Sequence, residues 1–440
     1  MNAQKWQATG ELFREFQALG RASLICDIQD SHSGNMAVRR TNARGEDEIV
    51  ITATGSQKGD LEPSQICFLS ATETDYGYYK ASSETDIHAR ILALPGVRAS
   101  MHAHLKDLIL ATLDDAPKPS QPPDFVPVDP LARHHLGAAL PVDWFAVPSG
   151  SPELARVIPE RLATHPLTII FGHGAMAKGR SLREAFFRLC VGNYAGAVVR
   201  GMEKLRIDVG AVRSAIAARP DRAFAGPPPD FSVERDDRSD FRDEEEILAE
   251  FVKAGHRIFE SRLSPFHTGS MSVGGVATML YAPKASMPRD VGGPLLRVPL
   301  AAAPSDDAET ALHKAIYAAS DFQSVMHCHV AEAEASAYYI DPGETAPSGR
   351  IVPIDAEGSF LYLVIPVLPP DVPAAELIRS LHDYKVAVVR GGGVWAAGAQ
   401  SLSEVLHHPS SVREICLYRI GAVERGLDLR RLEPQKAKRW

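Results

Sequence analysis

His102 and His104 stand two residues apart in the segment MHAHL. If that segment is a β-strand, positions i and i+2 leave the same face, so the two imidazoles sit a few ångströms apart, as two ligands of one ion must. The same pair also arises as ordinary surface histidine, so the spacing needs support from elsewhere in the chain. His173 lies between glycines in FGHG, directly after an apolar run. Flanking glycines let the backbone carry a side chain close to a neighbour, and three histidines complete the protein ligand set of a catalytic zinc site. Glu84, in the segment SSE, lies one predicted helix upstream of the histidine pair. A carboxylate there can act as acid/base or as a further, displaceable ligand.

The elements that must position these groups occur twice. Residues 84–104 and 309–329 align without gaps at an offset of 225, so that Glu84, His88, Met101, His102 and His104 match Glu309, His313, Met326, His327 and His329. HSGNMAV at 32–38 pairs with HTGSMSV at 267–273 at an offset of 235, and TIIFGHGAMAKG at 168–179 with AVVRGGGVWAAG at 387–398 at an offset of 219. Three blocks in one order mean a tandem duplication, which also accounts for a length of 440 residues at roughly 100–200 per domain. The predicted organisation is a first domain over 1–208, a Pro-rich charged linker over 209–240 and a second domain over 241–440. Short apolar runs at 48–53, 167–171, 361–367 and 385–389 predict strands, and helical spacing predicts helices over 10–24, 83–94, 181–205 and 244–261. Their interleaving implies α/β domains with helices packed on a central sheet; strand direction is not legible from it.

The ordered set SGN (Ser33–Asn35), TATG (Thr52–Gly55), SSE (Ser82–Glu84), MHAH (Met101–His104) and FGHG (Phe171–Gly174) resembles the class II aldolase/adducin superfamily, which includes fuculose-phosphate and rhamnulose-phosphate aldolases, ribulose-phosphate epimerases and methylthioribulose-phosphate dehydratases. The resemblance implies two tandem three-layer α/β/α domains, each with a largely antiparallel sheet. It implies that His102, His104 and His173, with Glu84 beside them, hold a divalent metal, usually Zn2+, with Mn2+, Co2+ and Fe2+ as alternatives. Glu84 would be the acid/base, and Gly34, Asn35, Thr54, Gly55, Ser82 and Ser83 would cradle a substrate phosphate through amides and hydroxyls. The same glycines and serines also serve ordinary turns. Lys58 and Lys80 are read as solvated, and His88, His32 and His267 as structural. His134 and His135 fall in a Pro-rich region with no assigned role.

In the second copy His327 and His329 persist, but Gly392 stands where His173 should be. Ser82 and Ser83 become Asp307 and Ala308, Asn35 becomes Ser270, and TATG has no counterpart. Glu309, His327 and His329 are therefore read as a degenerate second site, unless Glu332, Glu334 or Arg390 joins a changed one.

The expected activity is metal-dependent aldol cleavage of a phosphorylated ketose or related hydroxy-ketone. A dehydratase, epimerase or decarboxylase on a similar sugar phosphate, or a non-catalytic adducin-like module, are the alternatives. The second copy would serve as a built-in neighbour, giving a homodimer that forms a pseudo-tetramer of domains. A net charge of −8 argues against nucleic acid as a partner. Five dispersed cysteines without a CxxC pair indicate a reducing, cytoplasmic location, and no segment predicts export or a membrane span.

Overall fold

The computed structural model describes residues 3–30, 32–72, 74–75, 80–217 and 244–437. They pack as two compact units, one built from 1–127 with 132–196 and the other from 128–131 with 197–440.

In the first unit, β-branched and apolar runs bounded by turn residues form β1 (Asn35–Thr41), β2 (Asp47–Thr52), β3 (Ile66–Ser70), β4 (Thr74–Asp75), β5 (Ala99–Ala103), β6 (Val142–Asp143), β7 (Leu167–Ile170) and β8 (Gly174–Gly179). The sheet order is β4-β3-β2-β1-β5-β8-β7-β6, antiparallel throughout except for the parallel pair β6·β7. Every residue of β5 and β7 is buried, which requires cover on both faces. One face packs Ile51, Ile170 and Met176 against Ile87 and Ile91 of the helix Thr85–Leu92 and against Leu154 and Ile158 of the helix Pro152–Thr164. On the other face Leu167 lies against Gly192 of the helix Leu182–Lys204, close enough that a β-carbon at Gly192 would sit 3.1 Å from it.

The second unit repeats this plan with β9 (Ser270–Gly274), β10 (Thr278–Ala282), β11 (Leu296–Pro299), β12 (Ser324–Cys328), β13 (Arg350–Ile351), β14 (Ile365–Leu368), β15 (Val386–Val389) and β16 (Gly393–Gly398), in the order β11-β10-β9-β12-β16-β15-β14-β13. Seven strands correspond in place, including the parallel pair β14·β15; each sheet then adds one short strand, on opposite edges. Alternation along β15 and β16 sorts the core into two layers. Val386, Val388, Val394 and Ala396 face the helices Glu244–Glu260 and Leu402–Glu424, whereas Ala387, Val389, Trp395 and Ala397 face the helices Ala308–Ala318 and Ala374–Tyr384. Both units are thus three-layer α/β/α domains with largely antiparallel sheets, as expected.

The sequence offsets reappear as strand register. Asn35 pairs with His102 and Ser270 with His327; His102 pairs with Met176 and His327 with Trp395. Two local expectations differ from the structure. The strand expected over 361–367 begins only at Ile365, because Asp355 caps a helix over Ala356–Leu361 by accepting from the Gly358 amide at 2.6 Å. Residues 209–217, assigned to the linker, form a helix, and 218–240 of that linker lie outside the described residues. No helix among the described residues is long and apolar enough to cross a membrane.

Candidate active site

β5 is a central strand, and His102, its fourth residue, is buried with 1% exposure. His104 follows just past the strand end, and His173 sits on the β7–β8 turn, where Gly172 adopts φ +66°. Gly174 permits this convergence: a β-carbon there would lie 2.6 Å from both the Ala103 carbonyl oxygen and the His102 ring. The three rings stand 4.8–5.0 Å apart between centroids, and their nearest candidate ligand nitrogens all lie within 4.8 Å of one another.

The donor chemistry fits a metal ion. The Ala175 carbonyl can only accept, so His102 Nδ1 carries the proton it donates at 3.0 Å and leaves Nε2 as a bare lone pair. His102 Nε2 and His173 Nδ1 are buried and have no hydrogen-bond partner. Burial first, then the neighbouring His173, pushes His102 down to about 3; burial followed by His102 and His173 pushes His104 down to about 4. Both rings therefore stay neutral at physiological pH, the form that ligates. Among the described residues this is the one cluster of its kind.

Glu84 is the residue preceding the helix Thr85–Leu92, with 2% exposure. Its Oε2 accepts from Asn35 Nδ2 at 2.8 Å and lies 3.9 Å from His102 Nε2, while its Oε1 is buried without a partner. A chemically available carboxylate oxygen thus stands beside the histidine cluster.

The residues expected to cradle phosphate gather around the same pocket of about 180 Å3, which Gly34, Asn35, Thr54, Gly55, Ser82, Ser83 and Glu84 line together with the three histidines. They are not equivalent. Gly34 has φ +70°, and a β-carbon there would press 2.4 Å from the His102 carbonyl oxygen, so glycine is required for this loop to lie on β5. Gly55 also has φ +70° but borders open space. The Thr54 hydroxyl donates to the Ala81 carbonyl at 2.9 Å and its amide to the Lys80 carbonyl at 2.9 Å. Asn35 spends both ends of its amide on Glu84 and His88. Ser82 Oγ accepts from the Glu84 amide, leaving its own proton for a ligand, and Ser83 is exposed.

Two residues carry more than their sequence context indicated. Lys58, expected to be solvated, has 1% exposure, and its ammonium donates to the His32 carbonyl at 3.0 Å, the Ser56 carbonyl at 2.8 Å and Ser56 Oγ at 3.0 Å. It thereby ties together the two glycine loops that wall the pocket, and burial pulls it down to about 8. His88 bonds Asn35 and Ser100 and so touches the site through Asn35. Lys58 had no signal in residue type or spacing; His88 stands one helical turn after Glu84 and recurs as His313, but its partners arise only from tertiary burial. His32 and Ser149 also line the pocket, whereas His134 and His135 do not. A larger cleft of about 400 Å3 shares no residue with this pocket, and its lining includes the Asp143–Arg161 ion pair at 2.7 Å.

The second copy brings Glu309 and His327 together in a different state. His327 Nδ1 lies 2.7 Å from Glu309 Oε1, and its Nε2 lies 2.8 Å from the carbonyl oxygen of Gly392, the residue in place of His173. With Glu309 ionised, both partners are acceptors, so each ring nitrogen donates and the pair is an imidazolium–carboxylate contact. It stacks on Trp395 at 4.3 Å and 7°, a cation–π arrangement. Burial alone would raise the Glu309 carboxyl, but His327 and the bonds from His327 and Ser270 outweigh it and hold Glu309 at about 2. His329 is buried nearby, its ring 4.6 Å from that of His327. Glu334 accepts from the Gly391 amide and Glu332 pairs with Arg413, so neither is turned toward a new metal cluster.

The profile of the class II aldolase and adducin N-terminal domain family matches residues 14–198 and again 249–419. A 5-methylthioribulose-1-phosphate/5-deoxyribulose-1-phosphate aldolase of Rhodospirillum rubrum is 31% identical over 160 residues, 35% of this chain and 64% of that protein's length. Among solved structures, the l-fuculose-1-phosphate aldolase of Thermus thermophilus is 23% identical, covering 47% of this chain and 96% of its own, with a TM-score of 0.36. A sugar-phosphate aldolase of Thermotoga maritima is 22% identical over 45% of this chain and 97% of its own, with a TM-score of 0.39. With both copies matched by one profile, the chain belongs to the class II aldolase and adducin family.

Proposed function

We propose that this protein is a metal-dependent aldolase that breaks a carbon–carbon bond in a phosphorylated ketose or related hydroxy-ketone, with one working site per chain, in the first copy. The observation that carries the reading is the convergence of His102, His104 and His173 beside a Glu84 oxygen that nothing else engages. The three histidines would hold a divalent ion, most simply Zn2+, with Mn2+, Co2+ and Fe2+ as alternatives. Such an ion supplies Lewis acidity to the oxygens of a hydroxy-ketone. Glu84 Oε1 takes or returns the proton, Asn35 holds Oε2 in place, and Ser82, Ser83, Gly34 and Gly55 form a neutral cradle for a phosphate, with the Lys58 charge behind the loops. The methylthioribulose-phosphate relative supports a phosphorylated substrate.

The domains over 1–208 and 241–440, a cytoplasmic location and a homodimer forming a pseudo-tetramer of domains belong to the same proposal. Dehydration, epimerisation or decarboxylation of a similar substrate would use the same groups. An adducin-like structural role fits the second copy, where the histidine is protonated. A panel of phosphorylated and unphosphorylated ketoses, scored for aldehyde release, dehydration and epimerisation, decides the reaction. Aldehyde release that is abolished in Glu84→Gln is expected; products of water loss or inversion, or no turnover by zinc-loaded wild type, would overturn the aldolase assignment.

A further inference from the structure

The orientation of Glu84 depends on a buried chain of hydrogen bonds running away from the pocket. His88 lies one helical turn after Glu84, fully buried. Its Nε2 meets Asn35 Oδ1, and its Nδ1 lies 2.6 Å from Ser100 Oγ on β5. Asn35 Oδ1 can only accept, so the proton sits on Nε2 and Nδ1 accepts from the Ser100 hydroxyl. Asn35 is then fixed with its amide nitrogen toward Glu84 Oε2, which leaves Oε1 as the unengaged oxygen. Burial pushes His88 down to about 4, which keeps the ring neutral and the direction of the chain fixed.

We propose that His88 is a positioning residue for the reaction: acting through Asn35, whose carbonyl fixes its tautomer, and held from behind by Ser100, it keeps Glu84 placed so that Oε1 alone handles the proton. This rests on the aldolase reading. In the step concerned, the carbon–hydrogen bond beside the ketone breaks, its electron pair enters the enediolate, and Oε1 gains the proton it later returns. The second copy keeps a parallel chain, in which Ser272 bonds His313, His313 bonds Ser270, and Ser270 donates to Glu309. There Ser270 and the charged His327 both bond Oε1 of the carboxylate, so the chain persists where the oxygen beside the histidine is already engaged. Whether the chain serves stability alone is therefore a question for kinetics.

The test uses dihydroxyacetone phosphate, the smallest phosphorylated hydroxy-ketone, and zinc-loaded full-length protein, following deuterium exchange from solvent by proton NMR. His88→Leu should lower kcat by about 10- to 100-fold, the range found when a hydrogen-bond partner behind a catalytic group is removed. KM and zinc content should stay within about twofold of wild type. Asn35→Ala should lose a similar amount, and the Asn35→Ala/His88→Leu double variant should be no slower than Asn35→Ala, because His88 acts through Asn35. Unchanged kcat in His88→Leu, or losses that multiply in the double variant, would overturn the proposal. If thermal melting shows His88→Leu unfolded, Ser100→Ala takes its place with the same expected non-additivity. Absence of exchange in wild type would sink the aldolase reading. The relay would then stand or fall on the 15N spectrum of His88, assigned by difference: a neutral Nε2–H ring in wild type that becomes a tautomer mixture in Asn35→Ala supports it, and an Nδ1–H ring refutes it.

Discussion

Replacing Glu309 by glutamine tests the state assigned to the second copy, because it removes the charge that matches the His327 imidazolium while keeping the shape of the side chain. Glu309 is held at about 2 against an ordinary 4.5, which corresponds to about 3 kcal/mol of native-state stabilisation at neutral pH. A quarter of the Glu309 side chain still reaches solvent, so we discount this to about 2 kcal/mol. The sign follows from the depressed value. The contribution is fully present above 4.5, the unfolded value, and is lost as pH falls from there toward about 2. The assay is guanidinium unfolding of a Trp6→Phe/Trp144→Phe/Trp440→Phe background, in which Trp395 alone reports on the second unit. Glu309→Gln should lower stability by about 2 kcal/mol at pH 7, and the gap from wild type should close as pH drops toward about 2. Trp395 emission should also rise in the variant if the ring on which it stacks loses its proton. A difference below about 0.5 kcal/mol at pH 7, or one that does not change with pH, would refute the ion-pair argument.

Three further outcomes follow from the first copy. Purified protein should carry about one divalent ion per chain by elemental analysis, His173→Ala should carry none, and two ions per chain would overturn the view that the second copy cannot ligate. Gly174→Ala should likewise lose the ion while remaining folded by circular dichroism, since the added methyl strikes the Ala103 carbonyl and the His102 ring at 2.6 Å; retention of the ion would show that the turn yields. Lys58→Met should weaken inorganic phosphate binding by about tenfold or more in calorimetry, because the glycine loops lose both their tie and the charge behind them; unchanged affinity would show that Lys58 serves folding alone.

Much of the architecture could be read from the repeat because a constant offset in sequence is a constant register in a sheet. The offsets of 235 and 225 place Asn35 opposite His102 and Ser270 opposite His327, and 219 places Met176 and Trp395 opposite the same two histidines. The histidine cluster was legible for a similar reason: His102 lies on the strand and His104 follows just past its end, and the glycines on either side of His173 bring it to them. The helix over 356–361 was missed because a run of apolar residues outweighed a single Asp355 cap. Lys58 and His88 were read as solvated or structural because their partners are backbone carbonyls and side chains far away in sequence, which no local pattern encodes. The residues expected to cradle phosphate could be read only as a set of loops, and which donors they leave for a ligand depends on Thr54 and Asn35 already being engaged.

The two copies also show how a few differences at the site, the loss of the third histidine among them, accompany reversed electrostatics on the same sheet. In the first copy a carbonyl, that of Ala175, takes one proton from His102 and leaves the other nitrogen bare toward His104 and His173. In the second, the residue equivalent to His173 is Gly392, and its carbonyl comes within 2.8 Å of the nitrogen that would have faced the ion. A lone pair there would meet a lone pair, so the ring gains a proton instead, and Glu309 turns to balance it at 2.7 Å. Restoring a histidine at position 392 would therefore not be enough to recover a metal centre. The Gly392 carbonyl must also withdraw and Glu309 must release His327, which predicts that Gly392→His alone leaves the metal content of the chain unchanged, and that an added ion in that variant would refute this account.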